Sequence, residues 1–430
     1  MAWGVLGGLL TAMLATGAVL GAALGLTGFA ILWLFADGAT QFGVQAVWNT
    51  FNEFTLTAIP LFILLGELLV ASGLAAGVYQ AMAPVFARLP GGLLHTNVAV
   101  CTVFGAVSGS SISVAAAVGS VAYPELSKRG YDRAAVIGSL AGGGTLGLLI
   151  PPSLSLLIYG AITETSIGKL FLAGVVPGLL AAAGFMAWIA WAARRDPRLA
   201  PEPGPAMPIG RALLGLLRIW PLMVLIASVL GTLFAGLATP TEAAGAGVAA
   251  ALAIGFWFGG LTLRGVGEAL LATVRTFAVI AMVFMGAIVL AQSISVLGLP
   301  QQVLRTVSEL GIPPAAMLVL VVAIYLGLGC IFDGLSMMIM TLPVVFPLLT
   351  GLGYDPIWLG VVVTIMIEVG MLTPPVGMNL FVLVGLSGGQ VRLGDAARAT
   401  LPYWLLLLGL VAALTLAPGL ATALPRLAMG

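Results

Sequence analysis

Two stretches of this chain combine residues that free the backbone with residues that offer oxygen. Pro151-Pro152 follows Gly142-Gly143-Gly144-Thr145-Leu146-Gly147 and precedes Ser153; Pro374-Pro375 follows Gly370-Met371-Leu372-Thr373 and precedes Val376-Gly377-Met378-Asn379. Proline has no N–H and clashes with the preceding helical turn, so carbonyls are released around it. Glycine tolerates positive φ. Two polar tips, Val107-Ser108-Gly109-Ser110-Ser111 and Gly329-Cys330-Ile331-Phe332-Asp333, also interrupt apolar runs. Hydroxyl, amide and carbonyl oxygens are hard ligands, suited to Na⁺ and poor for transition metals. One cation site per pair of segments is expected. The first uses Ser108, Ser110 and Ser111 with backbone near Gly144 and Thr145; the second uses Gly329, Asp333 and Ser336 with backbone near Thr373. Half-helix N-termini attract anions, so an anionic substrate is expected between the sites, approached by Ser153, Asn379 and the tip residue Ser111. No Lys or Arg lies in either tip or break, so an arginine clamp is not available there.

These positions sit in a very apolar chain. Of 430 residues, 61% are hydrophobic and 7% charged, with mean hydropathy +1.17 and formal net charge +1. Soluble domains carry about 25% charged residues and lack apolar runs of ~20. Such runs recur here from end to end, which excludes a soluble enzyme and a disordered chain. The charge balance offers no footprint for nucleic acid. The fold class is therefore an all-α polytopic membrane protein, with the lipid bilayer as its solvent. Its 58 glycines, about twice the usual ~7%, suit close-packed and broken helices. Cys101 and Cys330 read as small buried hydrophobes, and the single His95 cannot build a histidine-rich metal site. The start of the chain has no basic n-region and reads as a first span, not a cleaved signal.

A crossing helix needs ~20 apolar residues. Ten spans are expected near 2–16, 17–35, 54–82, 134–160, 167–192, 219–238, 243–260, 276–298, 357–385 and 400–420, with one long helix as the alternative for the first pair. Residues 97–125 instead hold arms of about 11 and 13 residues, and 315–349 arms of about 14 and 16. Arms this short suit re-entrant hairpins, whose polar tips need protein or water around them. On this arrangement 13 basic residues fall on one side, and only Lys169, Arg305 and Arg426 on the other. That bias puts the Arg-rich linker in the cytoplasm and the N-terminus outside. The segment 41–54, with Trp48 and Phe51, reads as an interfacial stretch with aromatic anchors.

The diproline recurs after 223 residues. The same shift carries Gly130-Tyr131-Asp132 onto Gly353-Tyr354-Asp355, Pro124 onto Pro347, Ser113 onto Ser336 and Gly147 onto Gly370. Two repeats are expected: the first over 1–200 (hairpin 97–125, broken helix 134–160), a cytoplasmic linker over 201–218, and the second over 219–430 (hairpin 315–349, broken helix 357–385). The basic Lys128, Arg129 and Arg133 map onto Gly351, Leu352 and Pro356, and five spans per half is an odd number. Both facts predict inverted repeats, the architecture of secondary transporters. Three carboxylates fall at membrane depth: Glu67, Asp333 and Glu368. Intramembrane acids are costly and often functional. Asp333 is expected to serve coupling, Glu67 reads equally as a structural partner or a proton carrier, and Glu368 as structural.

Ile59-Pro60-Leu61-Phe62-Ile63-Leu64-Leu65-Gly66, Ser108-Gly109-Ser110-Ser111, Ile150-Pro151-Pro152-Ser153 with Ile158-Tyr159-Gly160, and Leu372-Thr373-Pro374-Pro375-Val376-Gly377-Met378-Asn379-Leu380-Phe381 carry a family likeness. The chain resembles the large membrane subunit of the tripartite ATP-independent periplasmic (TRAP) transporters. The resemblance implies a Na⁺-coupled secondary transporter of organic anions, such as dicarboxylates or sialic acids, in a bacterial inner membrane. It further implies a small four-helix membrane subunit as a separate chain, a periplasmic substrate-binding protein, and an elevator mechanism of scaffold plus transport domain. Family ion-site regions would map onto 108–111, 142–145, 329–336 and 370–375; the Gly-Cys-Ile-Phe-Asp-Gly of the second hairpin is a loose match. No organic cofactor is implied. A stand-alone anion/Na⁺ symporter of the same inverted-repeat class is the alternative. An intramembrane enzyme would need a His pair, Cys nucleophile motif or Ser–Lys arrangement at depth, and a channel fits two midplane breaks less well.

Overall fold

A computed structural model describes residues 2–201, 208–375 and 377–429. Residues 202–207 of the expected linker and Val376 of the second break lie outside the described residues. The chain is helical throughout, with no strand among the described residues. It opens with α1 (Ala2–Ala15) and α2 (Leu20–Phe35). Gly17, at φ +78°, divides them, so residues 2–35 form two helices. α3 (Gln41–Phe51) follows and leaves Trp48 71% exposed, as an interfacial anchor would be.

The span expected over 54–82 is two helices instead. α4 (Ala58–Ala71) is entered through a 3-10 turn at Phe54–Thr57, and α5 (Leu74–Phe86) starts afresh. Gly73 between them takes φ +69°, a conformation that ends helices, while the Ser72 hydroxyl donates to the Leu69 carbonyl at 2.6 Å. The first hairpin is α6 (Leu93–Ser108) and α7 (Ser111–Lys128). The first broken helix is α8 (Arg133–Thr145), a 3-10 turn at Leu146–Leu148, and α9 (Leu154–Thr163). The 29-residue α10 (Ile167–Arg195) closes this half.

The expected linker contains a helix, α11 (Ile209–Leu216), before α12 (Trp220–Phe234) and α13 (Pro240–Phe258). α14 (Leu263–Val296) runs 34 residues, well beyond the expected 276–298. After α15 (Leu299–Glu309) comes the second hairpin, α16 (Pro314–Gly329) and α17 (Gly334–Gly351). The second broken helix is α18 (Pro356–Leu372) and α19 (Met378–Leu386), followed by α20 (Leu393–Leu416) and α21 (Gly419–Met429). The hairpin arms, 16 and 18 residues in each case, are longer than expected. Among the described residues, seven continuous helical runs of 18 or more residues are apolar enough to cross a membrane by length and composition; two of them join a helix to its preceding turn (Phe54–Ala71 and Gly210–Phe234), and α17 is another.

Helix boundaries recur at the shift of the sequence motifs. α7 and α17 start at 111 and 334 and end at 128 and 351; α8 and α18 start at 133 and 356. The repeated Gly-Tyr-Asp supplies the reason. Gly130 and Gly353, at φ +83° and +92°, turn the chain after a helix. Asp132 and Asp355 then cap the next one, accepting the Ala135 and Ile357 amides at 2.7 and 2.8 Å.

α2 packs on α14 through glycines. A methyl on Gly28 would fall 2.8 Å from the Leu290 amide nitrogen, and Gly286 lies against the Gly21 carbonyl. Small residues allow such backbone approach, the main source of helix affinity where lipid removes the hydrophobic drive. α4 is shared: it contacts α13 and α14, and also the hairpin helices α6 and α7 and the broken-helix segment α9.

Candidate functional site

At the first tip, α6 ends on Ser108, Gly109 takes φ +61°, and Ser110 is the extended N-cap of α7. The Ser110 hydroxyl accepts the Ser113 amide at 3.4 Å and lies 3.2 Å from the Ser113 hydroxyl, which in turn points to Glu67 Oε1 on α4 at 3.4 Å. A methyl on the neighbouring Gly66 would come within 2.8 Å of the Ser108 carbonyl. Intramembrane Glu67, ambiguous from sequence, thus has a hairpin-tip partner.

The first break lies directly beneath this tip. A methyl on Gly109 would meet the Leu154 nitrogen at 3.2 Å and the Pro152 carbonyl at 3.3 Å; one on Gly144 would meet the Ser111 carbonyl at 3.4 Å. Ser108, Ser110, Ser111 and Gly144 are therefore neighbours. Thr145 is fully buried, and its hydroxyl donates to the Gly142 carbonyl at 2.8 Å. Pro151-Pro152 is a cis bond. Ser153 caps α9, accepting the Leu156 amide at 3.2 Å, and donates to the Leu148 carbonyl, which also takes the Ser155 hydroxyl at 2.8 Å. Its hydroxyl is thus engaged within its own break.

The second half repeats the arrangement with different side chains. Asp333 is the N-cap of α17 and accepts the Ser336 amide at 3.0 Å. It stands 223 residues after Ser110, which caps α7 in the same way, so its first task is capping. Thr373 closes α18 with its hydroxyl on the Val369 carbonyl at 2.6 Å, and the Cys330 thiol reaches the Pro374 carbonyl at 3.1 Å. Pro374-Pro375 is also cis. In each half the first hairpin arm meets its broken helix glycine to glycine. A methyl on Gly105 would sit 2.6 Å from Gly147 Cα, and one on Gly370 would sit 2.9 Å from Gly329 Cα. Gly105 carries no signal in the sequence beyond preceding the Ser-rich tip by one turn.

Several hydrogen bonds join the halves, among them Tyr159 to the Pro356 carbonyl at 2.7 Å and Tyr123 to Gln390 at 3.2 Å, and one of them lies at the site. Asn379, at the start of α19, donates Nδ2 to the Ser111 hydroxyl at 2.6 Å, and both side chains are buried. Two of the three expected substrate residues are thereby joined. Asn379 Oδ1 and the Ser108 hydroxyl are buried without a hydrogen-bond partner, as are both oxygens of Glu368 and the Thr364 hydroxyl. Buried oxygens left unpaired cost free energy, and Ser108 with the adjoining carbonyls is a donor set that fits a hard monovalent cation. Polar residues also link α5, α6 and α8: Tyr79 donates to Asn97 at 3.0 Å and Asn97 to Ser139 at 2.8 Å. A separate cavity of about 1180 Å³ opens between α3, the α9–α10 turn, α14 and α17, with Glu53, Glu164 and Gln292 in its wall.

Two hairpins seated on two broken helices, within an all-helical and highly apolar chain, define a polytopic membrane transporter. A model of the family described as "tripartite ATP-independent periplasmic transporter, DctM component" matches residues 8–420, and the chain belongs to that family. It is 35% identical over 414 residues to the C4-dicarboxylate TRAP transporter large permease protein DctM of Pseudomonas aeruginosa, covering 94% of this chain and 93% of that one. It is 30% identical to the sialic acid TRAP transporter large permease protein SiaM of Vibrio cholerae, covering 97% of each. Among solved structures, the YdaH transporter of Alcanivorax borkumensis superposes with a TM-score of 0.64 over 91% of each chain; at 18% identity this speaks to the fold.

Proposed function

We propose that this chain is the permease of a Na⁺-coupled uptake system for an organic anion, a C4-dicarboxylate, sialic acid or similar carboxylate. In this reading a periplasmic binding protein delivers the anion, a separate small four-helix membrane subunit completes the complex, and the complex resides in the inner membrane. The relatives named for such substrates support the class. The observation that carries the reading is the Asn379–Ser111 hydrogen bond, because it couples the first hairpin tip to the second break. Residues 1–200 and 219–430 act as inverted repeats, with the N-terminus periplasmic; matching helix boundaries at one shift support the pairing. Na⁺ is held at the first tip by Ser108, Ser110 and Ser111 with the Gly144 and Thr145 backbone. A second Na⁺ lies near Gly329, Asp333, Ser336 and Thr373. Anion binding falls to Asn379 and Ser111, with Ser153 shaping the floor. Hairpins and broken helices move together as an elevator against α2, α13 and α14, and α4, in contact with both groups, is the rail between them.

Reconstitution with the two partner proteins tests this. An inward Na⁺ gradient should drive uptake of the anion that the binding protein carries, and replacing Na⁺ by K⁺ should reduce uptake to background. Equal uptake in K⁺ would remove the coupling assignment.

A further inference from the structure

A cavity of about 790 Å³ at the junction of α8, α10 and α20 takes no part in the site above. Its size lies within the ~300–1,000 Å³ typical of ligand pockets, and its lining changes with depth. The mouth carries Asp132 and Arg133 at the start of α8, and Asp395 and Arg398, one turn apart, on α20. About two turns further in, Trp188 of α10 and Pro402 of α20 form apolar walls. Tyr403 meets Phe185 edge-on at 5.1 Å and backs that deeper part.

Aromatic and basic side chains gather at this end of α10. Trp188 and Trp191 lie 4.8 Å apart and Arg195 covers the Trp191 ring at 4.3 Å, the mixture of aromatic and basic anchors found at membrane interfaces. The charges at the mouth are largely unspent. Among the described residues Arg133, Arg398 and Asp395 make no ion pair, and only Asp132 is engaged, capping α8. Two arginines and two aspartates sum to zero, so the mouth has no preference for a net anion. It matches a group that carries both signs.

The geometry points to a glycerophospholipid with a phosphoethanolamine headgroup as the occupant. Its phosphodiester bridges Arg133 and Arg398, as charge-assisted N–H···O⁻ bonds favour. Its ammonium donates to Asp395, and one acyl chain descends between Trp188 and Pro402. A choline headgroup, which has no N–H, cannot make the Asp395 contact; a glycerol headgroup offers that carboxylate no cation. This inference stands apart from the transport reading, because it needs neither Na⁺ nor a substrate.

Native mass spectrometry of the intact, delipidated chain in detergent tests it, with dioleoyl phosphatidylethanolamine, phosphatidylcholine and phosphatidylglycerol as probes. The ethanolamine lipid should bind about tenfold more tightly than either other, the scale of one hydrogen bond to a charged group, and should raise Tm accordingly. Asp395→Asn should abolish the preference over choline, and Arg398→Gln should weaken all three lipids. Arg133→Gln serves in its place should that variant not fold. Lipid-free Tm should stay at the parent value, since these side chains are exposed. Equal affinity for the three lipids, a preference that survives Asp395→Asn, or equal stabilisation by inorganic phosphate alone would overturn the assignment.

Discussion

At the scale of residues, the arrangement turns on short polar side chains that both shape the backbone and remain near unpaired oxygens. Asn379→Ala deletes the 2.6 Å bond to Ser111 and strands a buried hydroxyl, a loss of about 1–3 kcal/mol. Uptake should fall about tenfold or more in proteoliposomes, with the protein still extractable and folded. Uptake at the parent rate would remove Asn379 from the site. Asp333 allows a cleaner separation. Asp333→Asn keeps an N-cap acceptor, whereas Asp333→Ala loses it at about 1 kcal/mol. If the carboxylate also holds Na⁺, the Asn variant should show several-fold weaker Na⁺ activation of transport at unchanged Tm. Unchanged Na⁺ dependence would confine Asp333 to capping.

At the scale of elements, what was legible came from residues with strict backbone demands. The diprolines marked the breaks, and the apolar runs expected from 134 and 357 start at 133 and 356, where the Gly-Tyr-Asp pair turns and caps the chain, because positive φ and side-chain caps are local properties. Three features were not legible, each for a physical reason. The break at Ser72-Gly73 sits in an apolar run, where a left-handed glycine leaves no hydropathy signal. α14 continues through Arg264, Glu268 and Arg275, charges that read as a loop; an i,i+4 pair, Arg264 to Glu268 at 3.0 Å, instead supports the helix. The Asn379–Ser111 bond joins residues 268 apart, and no periodicity encodes that. Glycine contacts give the prediction at this scale. Gly105→Ala and Gly370→Ala should each cost about 1–3 kcal/mol through overpacking against backbone. Gly184→Ala, with open space around it, should be neutral or slightly stabilising by helix propensity, up to ~1 kcal/mol. Comparable Tm in all three variants would argue against the glycine seats.

At the scale of the whole molecule, the claim that can be checked most directly is that the halves are oppositely inserted. Arg129 and Leu352 are mates at the 223-residue shift and lie at the ends of α7 and α17. Arg129→Cys and Leu352→Cys, each in a Cys330→Ser background with the buried Cys101 retained, should label oppositely in intact cells. An impermeant maleimide should reach position 352 and spare 129. Labelling of both from outside would refute the inverted arrangement. The glycine seats carry one more mechanical consequence. Gly105 lies three residues from Ser108, where α6 ends, so a pivot there has a lever of only about 4.5 Å, and ten degrees of rocking shifts that end by about 0.8 Å. A crossbar so short turns ten degrees of angular play into less than one bond length of travel, so thermal wobble of this arm moves the oxygens at its end by under about an ångström.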